Sequence, residues 1–326
     1  MGKSTISMKD FEDISLRDAF GKALVLMGEK VPELVLLGAD SLGSTRGAAF
    51  AKRFPQRTFN FGIAEQEMIT AAAGFATCGK IPIATAYGFL ISMRACEQVR
   101  TDICYPNLNV KLMATHTGLS MATGGTTHHC TEDIAIMRSF ANLTIVAPSD
   151  AVETAKAVES VIYYPGPVYL RMGRGEIPKI YSRDYKFEIG KSILLREGND
   201  ITIIAFGIML VEALKAAEIL AKENIQARVI NMHTIKPIDK DTIINAASET
   251  GAIVTAEEHT IYGGLGEAVA GVTSAFYPIP LIRIGIQDTF CGIGPEDGLR
   301  KKLGLTAQNI VKASKKAILM KNKEMI

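Results

Sequence analysis

The stretch FNFGIAEQEMITAAAGFATCGKIPIATAYGFL, residues 59–90, reads as strand, helix and strand in one pass. An aromatic strand gives way to a helix that opens with Glu65 and Glu67, and IPIATAYG forms the next strand. Acidic residues in a first helical turn complement the positive end of the helix dipole, which is their ordinary explanation. Two positions apart on a helix, the two carboxylates diverge by about 200° and cannot work as a pair on one face. A glycosidase-type acid/base dyad is thereby excluded. Yet both stand where a strand ends and a helix begins, the edge at which α/β sheets hold ligands, and this favours a role for one of them.

The same alternation extends in both directions. ELVLLGAD, RTFNFG, IPIATAYG, VKLMATHTG, LTIVAPS and GPVYLRM are strand candidates separated by helical stretches, the pattern of a parallel sheet covered on both faces. Ser15, with Asp18 three positions on, and Ser149, before DAVETAKAVESVI, have the character of helix N-caps. From Met172 to Gly190 the chain is mixed in charge, rich in Gly and Pro and aperiodic, as a linker is. Alternation resumes in DITIIAFG, MLVEALKAAEILAKE, ARVINMH, GAIVTAEEH and PLIRIGI. The expected class is α/β with two domains, each a mostly parallel sheet flanked by helices: residues 1–175, a linker over 176–190, and a smaller domain over 191–326.

Composition agrees with such a molecule. A chain of 326 residues has room for two cores, and 48% hydrophobic with 21% charged residues is an ordinary globular balance. A net charge of +2 gives no field for nucleic acid or membrane surfaces. The five cysteines, Cys78, Cys96, Cys104, Cys130 and Cys291, are scattered without a CxxC pair, which argues against a disulfide framework and a structural zinc site. The N-terminal segment has no apolar h-region, and no stretch is long enough to span a bilayer, so a cytoplasmic protein is expected. MGKSTI matches a short myristoylation pattern, with no second anchor downstream.

THTGLSMATGGTTHH follows the strand VKLMA and carries His116, His128 and His129 on one polar loop at a strand's carboxyl end, the place for a substrate-handling loop. The HHC at 128–130 lacks partners at zinc spacing. YGGLGEA, with Gly263, Gly264 and Gly266, misses the dinucleotide fingerprint and fits close backbone packing or a tight turn. His233 and His259 are read as structural or interfacial.

Taken with the His loop and NLTIVAPSDAVE, residues 59–90 resemble the pyrimidine-binding half of transketolases, and AEEHTIYGGLGEAVA resembles their C-terminal domain. The resemblance covers essentially the whole chain. It implies thiamine diphosphate as cofactor, with Glu65 hydrogen-bonded to a ring nitrogen of the aminopyrimidine and acting in proton transfer, while Glu67 keeps its ordinary explanation. Phe89 matches the aromatic that packs on the aminopyrimidine, with Tyr87 as runner-up, since the family's other two aromatics fall on Ala86 and Ser92. Arg17, Ser44, His116 and Arg171 match positions that hold the substrate phosphate, and His128 matches a catalytic histidine that contacts the sugar near the reacting carbon. Two arginines with a hydroxyl donor make a sound anion clamp.

Two departures shape the expectation. Gly124 stands where the family has an aspartate, which bears on selectivity at a sugar hydroxyl. The GDG turn that serves magnesium and the diphosphate occurs nowhere in the chain. The resemblance therefore implies the C-terminal subunit of a split transketolase, with diphosphate and Mg2+ held by a separate N-terminal subunit and a heterotetramer as the assembly. The alternatives are the β chain of a 2-oxo acid dehydrogenase, whose YGGG and HSQ style of segment is missing here, and a non-catalytic relative. Deoxyxylulose phosphate synthases share GIAEQ but normally keep the diphosphate domain in the same chain.

Overall fold

The structure, a computed structural model, describes residues 11, 14–182 and 184–323, so the MGKSTI pattern lies outside the described residues. Its contacts divide the chain into two units, residues 1–117 with 136–189, and residues 118–135 with 190–326.

The first unit runs α1 (Leu16–Lys30), β1 (Leu34–Gly38), α2 (Ala48–Arg53), β2 (Thr58–Asn60), α3 (Glu65–Thr77), β3 (Ile81–Tyr87), α4 (Cys96–Gln98) and β4 (Lys111–Thr115). After the excursion over 118–135 come the rest of α5 (Asp133–Arg138), then β5 (Thr144–Val146), α6 (Ala151–Tyr163) and β6 (Val168–Arg171). Its strands pair in parallel in the order β5-β6-β4-β3-β1-β2. Leu36 lies opposite Thr58 on one side and Ile83 on the other. A parallel sheet is covered on both faces, so β1 and β4 are buried at every residue, and apart from Lys111 and Thr115 they read in sequence as apolar runs.

Leu16, Phe20, Leu24 and Met27 recur at helical spacing, forming a stripe on α1 that packs with Val158, Val161 and Ile162 of α6 over the sheet. At a site as closed as that of Leu24, truncation to Ala costs about 2–5 kcal/mol. Ser15 caps α1, its side chain accepting from Asp18 N at 3.2 Å, as its spacing implies. The cap of α6 is Asp150, one residue later than expected. Asp150 Oδ1 accepts from Glu153 N at 2.7 Å, and its Oδ2 accepts from Ile180 N and Tyr181 N at 2.8 Å each. Ser149 N instead donates to the Glu153 carboxylate at 2.6 Å, so the acid three residues after the cap reaches back to the amide just before it, a variant of the capping box.

Between β3 and β4 the helical path is irregular. Two π-helical stretches, Leu90–Arg94 and Val99–Cys104, flank α4, and their i to i−5 bonds run from Ala95 N to Leu90 O at 3.1 Å and from Tyr105 N to Arg100 O at 2.9 Å.

The second unit contains β7 (Ile193–Arg196), β8 (Ile201–Ala205), α7 (Ile208–Ala221), β9 (Ala227–Asn231), β10 (Thr234–Lys236), α8 (Lys240–Thr250), β11 (Ile253–Thr260), α9 (Leu265–Phe276), β12 (Leu281–Ile286), α10 (Glu296–Lys302) and α11 (Ala307–Lys323). Its sheet has the order β12-β11-β8-β9-β7, parallel except where β7 meets β9. The YGGLGEA glycines serve close packing. The Glu257 carboxylate accepts from Leu265 N at 2.7 Å and Gly266 N at 2.8 Å, capping α9, and a Cβ on Gly264 would strike that carboxylate. His259 is fully buried there, its Nδ1 bonded to Thr260 O at 2.7 Å. Among the described residues no helix is long and apolar enough to cross a membrane.

Candidate functional site

The first unit delivers its selected side chains to one edge of its sheet. Ser44 follows β1, Glu65 follows β2, Tyr87 ends β3, His116 follows β4 and Arg171 ends β6. These are the carboxyl ends of parallel strands, where an α/β sheet leaves its loops and helix N-termini facing a ligand.

Glu65 is the first residue of α3, after Ala64, which gives the helix no side-chain cap. Gly62 turns the chain into this position with φ +66°. The carboxylate is only 2% exposed, whereas Glu67 faces solvent. Arg94, on the first π-helical stretch, donates from Nη1 to Glu65 Oε2 at 2.9 Å. Among the described residues Oε1 receives no hydrogen bond. A buried carboxylate with one oxygen ionically held and the other available can hold or accept a proton at a ligand atom.

A second cluster forms around Arg17. Its Nη1 donates to Ser44 O at 3.1 Å and lies 3.4 Å from His116 Nε2. The Tyr87 hydroxyl donates to Ser44 Oγ at 3.0 Å, Ser44 Oγ donates to Ser41 O at 2.9 Å, and the Tyr87 and His116 rings are 4.3 Å apart. A guanidinium can only donate, so His116 Nε2 is the acceptor and Nδ1 carries the proton. Nδ1 then donates to Thr115 Oγ1 at 2.9 Å, and Thr115 Oγ1 donates to Ala86 O at 3.4 Å. Burial, with Arg17, Arg174 and Arg46 nearby, pushes the His116 imidazolium down to about 3, so the ring is neutral at physiological pH. Burial, together with Arg46 and Arg174, lowers Arg17 as well. A concentration of guanidiniums around a neutral imidazole has the donors and charge to hold an anion.

No motif in the sequence points to Arg46 or Arg174. Arg174 sits three residues after Arg171 in LRMGRGEIP, in the stretch read as linker, and Arg46 lies in the same SLGSTRG as Ser44. Arg46 has φ +66° and His116 φ +58°, conformations that non-glycine residues hold only where surrounding structure imposes them. The Arg46 backbone rests on α1 at Gly21, where a Cβ would come within 2.7 Å of Arg46 O. Arg46 Nε and Asp18 Oδ1 form an ion pair at 2.6 Å. Arg171 is buried at the end of β6, with Ala114 opposite, and the cations acting on His116 are Arg17, Arg174 and Arg46. Phe89 is half-buried, its ring 6.3 Å from that of Tyr87 and inclined by 42°. The hydroxyl of Tyr87 thus belongs to the Arg17 cluster while its ring neighbours Phe89.

The three loop histidines have separate surroundings. His116 belongs to the first unit, and residues 118–130 to the second, where Gly118 and Cys130 close the loop with reciprocal bonds of 2.8 and 2.9 Å. His129 is buried and donates from Nε2 to Ala122 O at 3.2 Å. His128 is half-buried, with Nδ1 3.0 Å from Thr127 Oγ1. A Cβ on Gly124 would lie 3.3 Å from His128 Cβ and 3.2 Å from Met121 Cε, so a side chain there would crowd His128. Among the described residues no group of three or more His, Cys, Asp or Glu could hold a metal ion.

Comparison with known proteins follows the same two-part division. Residues 12–179 match the family model of the transketolase pyrimidine-binding domain, and residues 190–310 that of the transketolase C-terminal domain. The chain is 40% identical to a 6-deoxy-6-sulfo-D-fructose transketolase subunit of Clostridium sp. strain MSTE9, over 95% of this chain and 97% of that one. It is also 40% identical to one of the subunits of an apulose-4-phosphate transketolase from Actinobacillus succinogenes, over 86% and 90% of the two chains. A solved structure described as a split gene transketolase, inactive β4 tetramer, superposes with a TM-score of 0.87 at 46% identity, covering 95% of this chain and 99% of that chain.

Proposed function

Because this chain belongs to the transketolase family, we propose that it is the C-terminal subunit of a two-subunit, thiamine diphosphate-dependent transketolase. It moves a two-carbon ketol unit from a ketose to an aldose acceptor. The observation that carries this reading is the end-to-end match to chains that are themselves separate transketolase subunits, one of them covered over 97% of its length. These relatives favour transketolase over the 2-oxo acid dehydrogenase alternative.

Family membership implies thiamine diphosphate, and Glu65 fits its aminopyrimidine: an acidic oxygen without a protein donor suits a ring nitrogen. When bound, the cofactor supplies a carbon nucleophile and an electron sink for cleavage beside a carbonyl. Glu65 holds and moves the proton at the ring nitrogen, with Arg94 fixing its other oxygen. Phe89, with Tyr87 beside it, packs on the pyrimidine. Arg17, Ser44, His116 and Arg171, joined by Arg46 and Arg174, hold an anionic end of the sugar, and His128 contacts the sugar near the reacting carbon. The diphosphate and Mg2+ belong to an N-terminal subunit, and the assembly is a heterotetramer with two chains of each kind. An inactive tetramer built from β chains in a 46% identical relative is consistent with a chain that needs its other half.

Reconstitution tests this. The purified chain should show no ketol transfer and weak cofactor binding by calorimetry, and both should appear on adding the GDG-bearing subunit. Turnover and tight binding by the isolated chain would overturn the two-subunit reading.

A further inference from the structure

Three consecutive residues of β11 tie down both roots of the loop that carries His128. Glu258 Oε2 accepts from Leu119 N at 3.0 Å, His259 Nε2 accepts from Ala135 N at 3.3 Å, and Thr260 N donates to Thr131 O at 2.8 Å. On the far side the Thr126 hydroxyl donates to Cys291 O, and a Cβ on Gly125 would lie 2.8 Å from Ile293 Cγ1. The loop is thereby bracketed between the carboxyl end of β11 and the segment leading into α10.

Glu258 is bound at both carboxylate oxygens, at one of them by a charged partner. While Oε2 holds Leu119 N, Oε1 accepts from Arg300 Nη1 at 3.2 Å. Arg300 is mostly buried on α10, where it also bonds Glu296 at 2.5 Å and Asp297. Although burial works against it, the acids Glu258 and Glu296 raise the guanidinium above its ordinary value, so it stays charged. Gly118 has φ +63°, and a Cβ there would strike the Glu258 carboxylate, so the loop root is shaped to this acid. Successive strand residues face opposite ways, and Glu257 and Glu258 divide accordingly: one caps α9, the other holds the loop.

We propose that Glu258, held by Arg300, is the positioning residue that sets the His128 loop, and that this is a catalytic service of the second unit. The inference rests on the reading of His128 as a sugar-handling residue. A charge-assisted bond from a rigid strand end fixes the loop root, and displacement of a catalytic group by about 1 Å can cost about 10²-fold in rate.

Amide hydrogen exchange on the full chain and kinetics of the assembled enzyme test it together. In Glu258→Ala, exchange at Leu119 and across residues 118–130 should rise by about tenfold or more, while β8, β9 and β11 exchange as in the wild type. Turnover should fall by about 10²-fold with KM for the donor changed by less than about threefold. Arg300→Gln should reproduce both effects in part, and Arg300→Lys should recover most of the turnover. The Arg300 pair also serves if Glu258→Ala fails to fold. Unchanged exchange over 118–130, or a loosened loop with wild-type turnover, overturns the proposal. Wild-type turnover in His128→Ala, with the loop loosened in Glu258→Ala, would instead sink the role of His128 and uphold the loop restraint.

Discussion

Arg94 reaches Glu65 across 29 positions of sequence and holds one oxygen of its carboxylate at 2.9 Å, from a guanidinium half exposed to an acid that is closed off from solvent. The pairing leaves a directional group: one oxygen is committed to Arg94, and among the described residues the other receives no hydrogen bond. Glu67, two residues further on the same helix, faces solvent and has no part in it.

In the assembled enzyme, Glu65→Gln should therefore lower kcat by about 10²–10⁴-fold, the usual contribution of a positioned acid or base. Glu67→Gln should leave kcat within about twofold, as ordinary surface substitutions do. The substitution at 65 keeps shape and removes the acid, so saturating cofactor will not restore activity. Near wild-type turnover for Glu65→Gln would refute the assignment.

The arginines should separate substrates by charge. Loss of a charge-assisted bond worth about 1.5–3 kcal/mol predicts that Arg17→Ala and Arg174→Ala raise KM for phosphorylated sugars by about 10–150-fold. KM for unphosphorylated sugars should barely move. Arg171→Ala is expected to act in the same direction, and because Arg171 is buried its melting temperature should be measured alongside. Equal effects on both substrate classes would rule out an anion clamp.

Acid stability reports the neutral histidines. The folded value of His116 is pushed from 6.5 down to about 3, chiefly by burial with Arg17 next, and that of His233 down to about 4 by burial. Between the ordinary value and these lower ones the unfolded chain binds protons that the folded chain does not. Their contribution is full above pH 6.5 and is lost as pH falls through that window, each with a slope of at most about 1.4 kcal/mol per pH unit. His116→Asn should flatten the fall of the urea midpoint between neutral and acid pH. An unchanged pH slope in that variant would contradict the burial of a neutral ring.

Asp150 supports three backbone amides, those of Glu153, Ile180 and Tyr181. An N-cap contributes about 0.5–2 kcal/mol and each further bond about 1, so Asp150→Ala should cost about 2–4 kcal/mol. Urea unfolding measures this directly, and a loss under about 1 kcal/mol would show that the two linker amides find other acceptors.

Much of the fold was legible because buried parallel strands leave an unmistakable text. LVLLG and KLMAT are apolar runs apart from Thr115 and from Lys111, whose Nζ is buried and donates to Tyr164 O and Gly166 O. The shift of a cap from Ser149 to Asp150 was hidden because adjacent Ser and Asp offer equivalent oxygens, and only the approach of residues 180–181 decides between them. Arg94 was hidden for a different reason. A π-turn places residues out of the ordinary helical register, so no periodicity points from Leu90–Arg94 to the start of α3.

Local patterns, then, determined the alternation of strands and helices and the strand-end placement of Ser44, Glu65, Tyr87 and His116, since each depends on neighbours within a few residues, whereas Gly263 and Gly266 pack against the distant Ala135 and Arg283. Which charges meet was decided by tertiary structure alone. Arg174 comes from an aperiodic stretch, Arg46 from a left-handed turn resting on Gly21, and both act on His116 only because parallel strands bring their carboxyl ends to one edge. Electrostatic coupling depends on distance in space, and sequence separation carries no record of it.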